Sequence, residues 1–600
     1  MTEPTQITAF MSLPDIVRRY PRARQVLDRY GLQGCGGTNG PNETVGWFAR
    51  LHGVPLEKLL SELNEAKTAG NNEVIVFLPS TADTIYRPFF IAGLATVLTL
   101  GCVWGAINLL TIGLHQNFSA VNYSWVLAHA HAMVFGFVGF FIIGFAYQAF
   151  PRFKHTILWR PRLALSVLPL MAIGILLQTV AHLRHHNPSM LSLMLLAAFM
   201  QLVAVLIFAY VIVSTARQAK KPESYDRFVF AALGWFILAA IINPFIFILF
   251  ELPFDRQQLL FNLSTYNIPY RDVQLLGIAV VMIVGVSLRF LPQAYGFRLP
   301  GHGWRTFLFW GLNGSILVGA LSFLAGMSTG NHWLLMIQWL TAVLLLAVAI
   351  GIPRQYRLFG EVPENERDRA LKFIRAAHVW FIIAMAMLVL TPLYNFGVYM
   401  PLTGSHVPFS HAFFGAYRHA LTVGFTMMMI VGVSSKVVPT LSGIDVRRAS
   451  SLQWTFVLLN VGNALRVGTE IATDFVPVAY HVMGISGFIE VVALSLWSYE
   501  LLSNMIAGKR LEKRPVGPVV AGMPVISAQT KVAEVLDSYP QTLQTFVKFG
   551  FSPLRNPVMR NTIARVVTIE QACRRGGVVE SELLAELRRV ALHPETSIGI

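Results

Sequence analysis

The chain has 600 residues, of which 54% are hydrophobic and 13% charged, and its formal net charge is +16. So few charged residues exclude an ordinary soluble multidomain protein and indicate a protein of the lipid bilayer. The positive charge does not indicate nucleic-acid binding, because Lys and Arg are spread through short loops and form no basic patch interleaved with aromatic side chains.

The first segment, residues 1–70, is predicted to be a small, soluble, largely helical domain. Tyr20 and Pro21 are followed by Gly31 and Thr44, and residues of these types punctuate helix boundaries. The first ten residues contain no basic stretch followed by an apolar stretch, so no cleaved signal peptide is predicted.

The central part, residues 85–507, contains apolar stretches long enough to cross a hydrocarbon core, which takes about 20 residues of helix. Twelve such stretches are predicted, at 88–112, 124–150, 162–182, 189–214, 228–251, 270–294, 306–327, 332–353, 371–395, 411–439, 452–471 and 478–506. The expected fold is therefore an all-α polytopic membrane protein.

The charges of the loops predict the orientation of these helices, because cytoplasmic loops carry an excess of Lys and Arg. The even-numbered connections hold most of the loop charges, namely Arg152, Lys154, Arg160, Arg217, Lys220, Lys221, Arg227, Arg298, Arg305, Arg354, Arg357, Arg367, Arg369, Arg447 and Arg448. The odd-numbered connections contain few Lys or Arg residues. Both termini are therefore expected in the cytoplasm.

An internal repeat divides the membrane part. Gly136, Gly144 and Pro151 of the second stretch recur with identical spacing in the sixth and tenth stretches, as Gly277, Gly285, Pro292 and Gly424, Gly432, Pro439. Repeats of this kind indicate duplicated structural units. We expect three four-helix units in a pseudo-threefold arrangement.

The last segment, residues 524–592, repeats the pattern of the first. Tyr539 and Pro540 are followed by Gly550 at the same distance at which Gly31 follows Tyr20 and Pro21. A second copy of the small helical domain is therefore predicted.

The three cysteines, Cys35, Cys102 and Cys573, are too far apart to indicate a disulfide framework or a Cys-rich cluster site.

Ionisable groups inside a membrane are costly and mark functional sites. The repeat places His131, Asp272 and His419 at equivalent positions of the second, sixth and tenth helices. Two neutral imidazoles that meet across the core are suitable axial ligands for a heme iron. Because residues two apart on a helix point about 200° apart, His129 and His131 cannot both face one centre. The alternative is that these histidines hydrogen-bond to neighbouring helices.

Other polar residues suggest further roles. His411 lies roughly 12 Å before His419 along the helix, so it could ligate only a second, more superficial heme or copper. Arg466 and Glu470 have the spacing of an ion pair within a helix. Glu490 either carries protons or hydrogen-bonds within the bundle. The histidines His115, His185, His186, His332 and His406 are interpreted as solvated loop residues.

The segment from Ala128 to Phe137, with its His-x-His, resembles the NnrS family, as does the segment from His419 to Val433. The resemblance implies a twelve-helix bacterial inner-membrane protein that contains heme, of b type, and copper, and that acts in nitric oxide stress and denitrification. It also implies a distant relation to heme-copper oxidase subunit I. The sixth and seventh helices offer Asp272 and Asn313 where oxidases have histidines, so no binuclear dioxygen-reducing centre is expected.

The stretch from Tyr30 to Gly37 resembles the ScdA N-terminal domain of iron-sulfur-cluster repair proteins. That family usually has a pair of cysteines where this chain has Gly34 and Cys35. The resemblance implies a binding or sensing role for Cys35, and the alternative is a structural turn. The C-terminal copy is similar to a small helical domain of unknown function found beside redox proteins.

Three functions follow from these observations. The first is a heme-binding membrane protein of the nitric oxide response, whose terminal domains sense or dock a cytoplasmic protein partner. The second is an enzyme that reduces nitric oxide or dioxygen with electrons from a quinol or another redox partner. The third is a transporter, since repeated helical units with interior polar groups also suit carriers.

Overall fold

The structure is a computed structural model that describes residues 6–32, 40–68, 81–184, 187, 189–219, 221–253, 255–362, 368–446, 449–512 and 526–592. These residues form helices joined by turns, with two isolated β-bridges. The expectation of an all-α protein is confirmed.

Twelve long helices make up the central part. They are α1 (Thr81–His115), α2 (Tyr123–Phe153), α3 (Pro161–Leu183), α4 (Ser189–Arg217), α5 (Asp226–Glu251), α6 (Arg256–Tyr295), α7 (His302–Thr329), α8 (His332–Tyr356), α9 (Ala370–Thr403), α10 (His411–Leu441), α11 (Gln453–Ala472) and α12 (Ala479–Arg510). In the described residues, all except α11 are long and apolar enough to cross a membrane, which gives eleven candidate spans rather than twelve.

The helix α11 is less apolar than the others because it carries Arg466, Glu470 and two asparagines. Its 20 residues correspond to about 30 Å, the thickness of a hydrocarbon core. It runs antiparallel to α10, since Gly415 faces Glu470 while Gly424 faces Asn463.

Three helices form the centre of the bundle. In the apolar windows of α2, α6 and α10, 72–78% of the residues are buried, against 33–44% in the other candidate spans. We call these three the axial helices. We call the end where they carry His131, Asp272 and His419 the histidine end, and the end where they carry Pro151, Pro292 and Pro439 the proline end.

The repeated glycines make the same contact three times. A Cβ on Gly144 of α2 would lie 2.9 Å from the Cβ of Phe89 on α1. The corresponding distances are 2.6 Å from Gly285 to Phe228 on α5 and 3.0 Å from Gly432 to Phe373 on α9. Each axial helix therefore packs closely on the helix before it, because glycine leaves no side chain between the two backbones.

The last helix closes the bundle against the first. The backbones of Gly113 on α1 and Gly484 on α12 are in direct contact. At the proline end, Ser442 lies next to Gly508 of α12 and its hydroxyl lies 3.3 Å from the Tyr86 hydroxyl of α1. The chain thus enters α1 and leaves α12 at the same end of the bundle.

The two terminal units have matching local structure. The N-terminal unit comprises helices Leu13–Arg19, Ala23–Arg29, Val45–His52 and Leu56–Thr68. The C-terminal unit comprises Val532–Ser538, Leu543–Lys548, Pro557–Asn561, Ile569–Gly576 and Glu580–Leu592. An isolated bridge joins Ser12 to Thr44 in one and Lys531 to Thr568 in the other. Gly31 and Gly550 adopt left-handed backbone conformations, with φ of 100° and 94°.

The N-terminal unit is docked on the proline end and contacts every axial helix. Its Glu43 forms an ion pair with Arg152 of α2. The Trp47 indole donates to the carbonyl of Gln293 on α6 at 3.1 Å. The Asn42 amide donates to the carbonyl of Thr440 on α10 at 2.8 Å. One small domain therefore holds together the same ends of the three axial helices.

Candidate functional site

The three equivalent polar positions share an unusual backbone feature. A π-helical segment begins directly after each of them, at Ala132–Val138, Val273–Val280 and Ala420–Met427. Short π-helical turns inside α-helices are rare and occur frequently at functional sites. The same distortion in all three axial helices marks the level of His131, Asp272 and His419 as the candidate site.

His131 points into the first four helices rather than to the other axial helices. Its Nε2 lies 2.8 Å from Oε1 of Gln201 on α4, and its ring stacks on Phe135 with centroids 4.6 Å apart. Because an amide oxygen only accepts, Nε2 is the protonated nitrogen and donates this bond. Nε2 of His131 is therefore engaged in a hydrogen bond to a side chain.

The polar groups around His131 form one hydrogen-bonded network. Gln201 donates to Gln178 at 2.9 Å, and Gln178 donates to Asn243 at 3.0 Å. Nearby, Nδ1 of His182 lies 2.7 Å from Glu251, which also accepts a bond of 2.6 Å from Ser124. The space left among these residues is about 10 Å³.

His129 points the other way, against α1. Its Nδ1 donates a hydrogen bond of 2.9 Å to the carbonyl of Gly101, and its ring packs on Gly105. The expectation that neighbouring histidines face opposite sides is confirmed. Since a carbonyl accepts only, Nδ1 carries the proton and Nε2 keeps its lone pair.

His419 has the same arrangement as His129. Its Nδ1 donates to the carbonyl of Gly415 at 3.0 Å, which leaves Nε2 with its lone pair. The ring lies 3.7 Å from Glu470 of α11, and its side chain keeps 33% of its accessible surface. His129 is near enough to interact with it electrostatically. His129 is therefore a further candidate partner for His419, and the predicted pairing of His419 with His131 stays a prediction.

Charged side chains from three helices lie beside these two histidines. Arg466 of α11 donates to Glu470 at 3.1 Å, so the predicted ion pair within this helix is present. Arg418 lies within electrostatic reach of Asp272 and Arg271. Among the described residues, Nη2 of Arg418 and both Nε and Nη1 of Arg466 are buried without a hydrogen-bond partner.

Two carboxylates extend the cluster toward α12. Oε1 of Glu490 and Oε2 of Glu470 are buried and have no hydrogen-bond partner in the part of the chain that the structure describes. Glu490 packs against Gly462 of α11 and lies within electrostatic reach of Glu470 and Arg466. Carboxylates in such positions are candidates for carrying protons.

The remaining predicted residues lie elsewhere. His411 is exposed at the start of α10, and its ring meets Phe118 edge-on with centroids 4.9 Å apart. Cys35 lies outside the described residues. No group of three or more His, Cys, Asp or Glu side chains in the described ranges could hold a metal ion, so a copper site with three protein ligands finds no support there.

Sequence reasoning missed Arg271, Arg418 and the partners of His131. The sequence contains a signal that could have identified the two arginines. Each directly precedes the repeat-equivalent residue of its helix, which is Asp272 in α6 and His419 in α10. Gln201 on α4, the partner of His131, had no such signal, and neither had Glu251 on α5, the partner of His182.

Comparison with known protein families agrees with the central part of the chain. The profile of the NnrS family, described as NnrS protein, matches residues 83–509. A domain of unknown function, DUF1858, matches residues 526–584. No curated protein matches the chain. The expected relations to heme-copper oxidases and to the ScdA N-terminal domain gain no support from these comparisons.

The NnrS profile covers all twelve long helices, from the start of α1 nearly to the end of α12, and both candidate histidines. Since it spans well over half of the 600 residues, the chain belongs to the NnrS family.

Proposed function

We propose that this protein is a heme-binding membrane protein of the nitrosative stress response, with His129 and His419 as the axial ligands of the iron. The observation that carries the proposal is that the two imidazole rings are in the same tautomer. Each donates its Nδ1 proton to a backbone carbonyl, and this bond fixes the tautomer and the ring orientation that a metal-binding Nε2 needs.

The residues beside the histidines fit the rest of a heme. A heme carries two carboxylates, and buried carboxylates need charged hydrogen-bond donors. The unpartnered guanidinium nitrogens of Arg418 and Arg466 supply such donors next to His419. Bound there, heme would supply an iron that changes its redox state and exchanges an axial ligand for a small molecule.

The type of heme follows from the cysteines. Covalent c-type attachment uses a Cys-x-x-Cys-His segment, and Cys35, Cys102 and Cys573 provide none. The protein would therefore hold heme through its ligands and through contacts alone, as b-type proteins do. Copper would need further ligands, and His411 is too exposed to join this site.

The proposal includes a membrane arrangement. We infer that α11 crosses the bilayer with the other eleven long helices, so that three four-helix units surround the axis. The Lys and Arg residues of the even-numbered connections favour a cytoplasmic position for the proline end and both terminal units. There the terminal units would be available to a cytoplasmic protein partner.

One observation favours a second function, the reduction of nitric oxide or dioxygen with electrons from a quinol or a cytochrome. Such a reaction consumes protons, and Glu470 beside His419 and Glu490 within electrostatic reach of Glu470 are buried carboxylates with oxygens that have no hydrogen-bond partner among the described residues. This function predicts gas consumption by the purified, heme-loaded protein when a reduced quinol is added.

The proposal is tested by the optical spectrum of full-length protein expressed with ample heme. We expect a low-spin spectrum in the wild type, and its loss in His129→Ala and His419→Ala. His131→Ala should keep it, because His131 bonds Gln201. His332→Ala, in an exposed residue at the start of α8, is the control. Absence of heme in the wild type, or an unchanged spectrum in His129→Ala and His419→Ala, would refute the proposal.

A further inference from the structure

A cavity lies among the axial helices in the proline half of the bundle, away from the histidines. Its volume is about 90 Å³. Its walls come from all three axial helices, with Phe141 and Ala146 on α2, Met282 and Val286 on α6, and Met429 and Val433 on α10. One helix of each unit thus contributes to a single cavity.

The walls of this axial cavity offer almost no polar group. The hydroxyl of Tyr225, which lines it, donates to the carbonyl of Phe153 at 3.0 Å. The hydroxyl of Ser434 donates to the carbonyl of Val431 at 3.2 Å. Ser287 adds a third hydroxyl to the wall. Since the other two already have backbone partners, the wall offers too few polar groups to replace the hydration of an ion or a polar metabolite.

A second cavity of about 60 Å³ continues the first toward the proline end. The two share the side chains of Phe145, Phe153 and Phe290 as their common wall. Trp47 and Leu51 of the docked N-terminal unit line the second cavity. The apolar space on the axis is therefore covered by the N-terminal unit where it would otherwise reach the proline end.

We propose that the axial cavity binds small, uncharged, apolar molecules of the size of a diatomic gas. Apolar cavities in proteins stay dry and take up ligands such as xenon, and a cavity of about 150 Å³ accommodates benzene. A space of about 90 Å³ is smaller than that and suits xenon or a diatomic molecule. Such molecules dissolve in the hydrocarbon phase that surrounds the bundle.

The cavity lies on the same three helices as the candidate heme site, beyond the π-helical segments. A gas molecule held there would lie inside the same bundle as the histidines, in its other half, and would not be in water. That the natural ligand is nitric oxide rests on the proposed function, whereas the binding of an apolar gas rests on the cavity alone.

Anomalous diffraction from crystals of the full-length protein pressurised with xenon tests this proposal. We expect a xenon peak among α2, α6 and α10 in the wild type and its loss in Val433→Phe, which fills the space. Ala146→Leu fills the cavity with a smaller group and replaces Val433→Phe in the experiment if that variant does not fold. Val492→Phe changes an exposed residue of α12 and should keep the peak.

Each outcome bears on the proposal. A wild type without xenon, or a peak that persists in both filled variants, overturns it. Density for an acyl chain in untreated crystals would also overturn it and identify the cavity as a lipid site. Xenon binding does not require heme, so the same measurement on heme-free protein separates a failure of this proposal from a failure of the proposed function.

Discussion

The imidazole of His129 rests directly on Gly105 of α1, where a Cβ would lie only 2.6 Å from Cε1 of the ring. One turn earlier on the same helix, Gly101 accepts the Nδ1 proton of that ring at 2.9 Å. The helix α1 thus fixes both the position and the tautomer of His129. Glycine is needed at position 105 because a side chain there would displace the ring, whereas a Cβ on Gly101 would meet the sulfur of Met133 at 2.7 Å.

This contact gives the first prediction. Gly105→Val should displace the His129 ring and abolish the low-spin heme spectrum, because the added carbons overlap its Cε1 atom. Overpacking of this kind costs about 1–3 kcal/mol of stability, so the melting temperature must be measured in parallel. Gly314→Val on α7 is the matched control, since a Cβ there meets nothing within 4 Å. A normal spectrum in folded Gly105→Val protein would exclude His129 as a ligand.

The second prediction concerns the unpartnered guanidinium of Arg418. Arg418→Gln should raise the rate of heme loss roughly 10- to 100-fold, since a hydrogen bond to a charged group is worth about 1.5–3 kcal/mol. Transfer of heme to an apoglobin measures this rate. Arg418→Lys keeps the positive charge, so its affinity for heme should fall less than that of Arg418→Gln.

Arg184→Gln provides the control for this measurement, because Arg184 is exposed at the end of α3. Equal rates of heme loss in wild type and Arg418→Gln would show that this arginine does not hold a heme carboxylate. The position of the histidines would then remain the sole support for the site.

Sequence periodicity predicted the helices well and the site only in part. The glycine and proline repeat located the three axial helices, because close backbone contacts with Phe89, Phe228 and Phe373 require glycine in each. Helical geometry also predicted that His129 and His131 face opposite sides. It could not show which of them faces His419.

That choice depends on features that periodicity does not contain. Gln201 on α4 bonds His131, and Gln178 on α3 and Asn243 on α5 continue the network from Gln201, so the network forms only after these helices pack. The π-helical segments after His131 and His419 alter the phase of each axial helix. In α11, Arg466 and Glu470 lower the hydropathy although the helix packs along α10, so composition alone does not identify it as a span.

The third prediction concerns the docking of the N-terminal unit. Glu43 keeps 2% of its side-chain surface and its partner Arg152 keeps 11%. Glu43→Gln leaves the Arg152 guanidinium without its carboxylate, and breaking a buried ion pair costs about 3–5 kcal/mol. We expect faster amide hydrogen exchange over residues 40–52 in the full-length protein.

Asp15→Asn is the control for Glu43→Gln. It removes a surface ion pair between Asp15, whose side chain is 51% exposed, and Arg18, whose side chain is 42% exposed. Such pairs contribute about 0–1 kcal/mol to stability. If both variants exchange at the same rate as the wild type, the Glu43 ion pair does not hold the N-terminal unit in place.

The last prediction is a pH dependence at the same interface, where His52 of the N-terminal unit meets His155 after α2. Their Nδ1 atoms are 3.4 Å apart. Burial holds the pKa of His52 well below its ordinary value of 6.5, and Arg152, His155 and Arg289 lower it further. Burial also lowers the pKa of His155, with Arg289, Lys154 and Arg152 adding to the effect and Glu223 opposing it.

Both imidazole rings are therefore neutral when the N-terminal unit is docked on the bundle. They take up protons more readily when that unit is separated from the bundle. Docking is fully stable above the ordinary pKa of 6.5 and weakens as the pH falls below it, because the separated state binds more protons. The protection of the amides of residues 40–52, expressed relative to the intrinsic exchange rate at each pH, should fall between pH 7.5 and pH 5.5. Burial raises the pKa of Glu43, and this opposes the effect. The double variant His52→Gln and His155→Gln should lose this fall in protection, whereas an equal fall in that variant would assign the pH dependence to other groups.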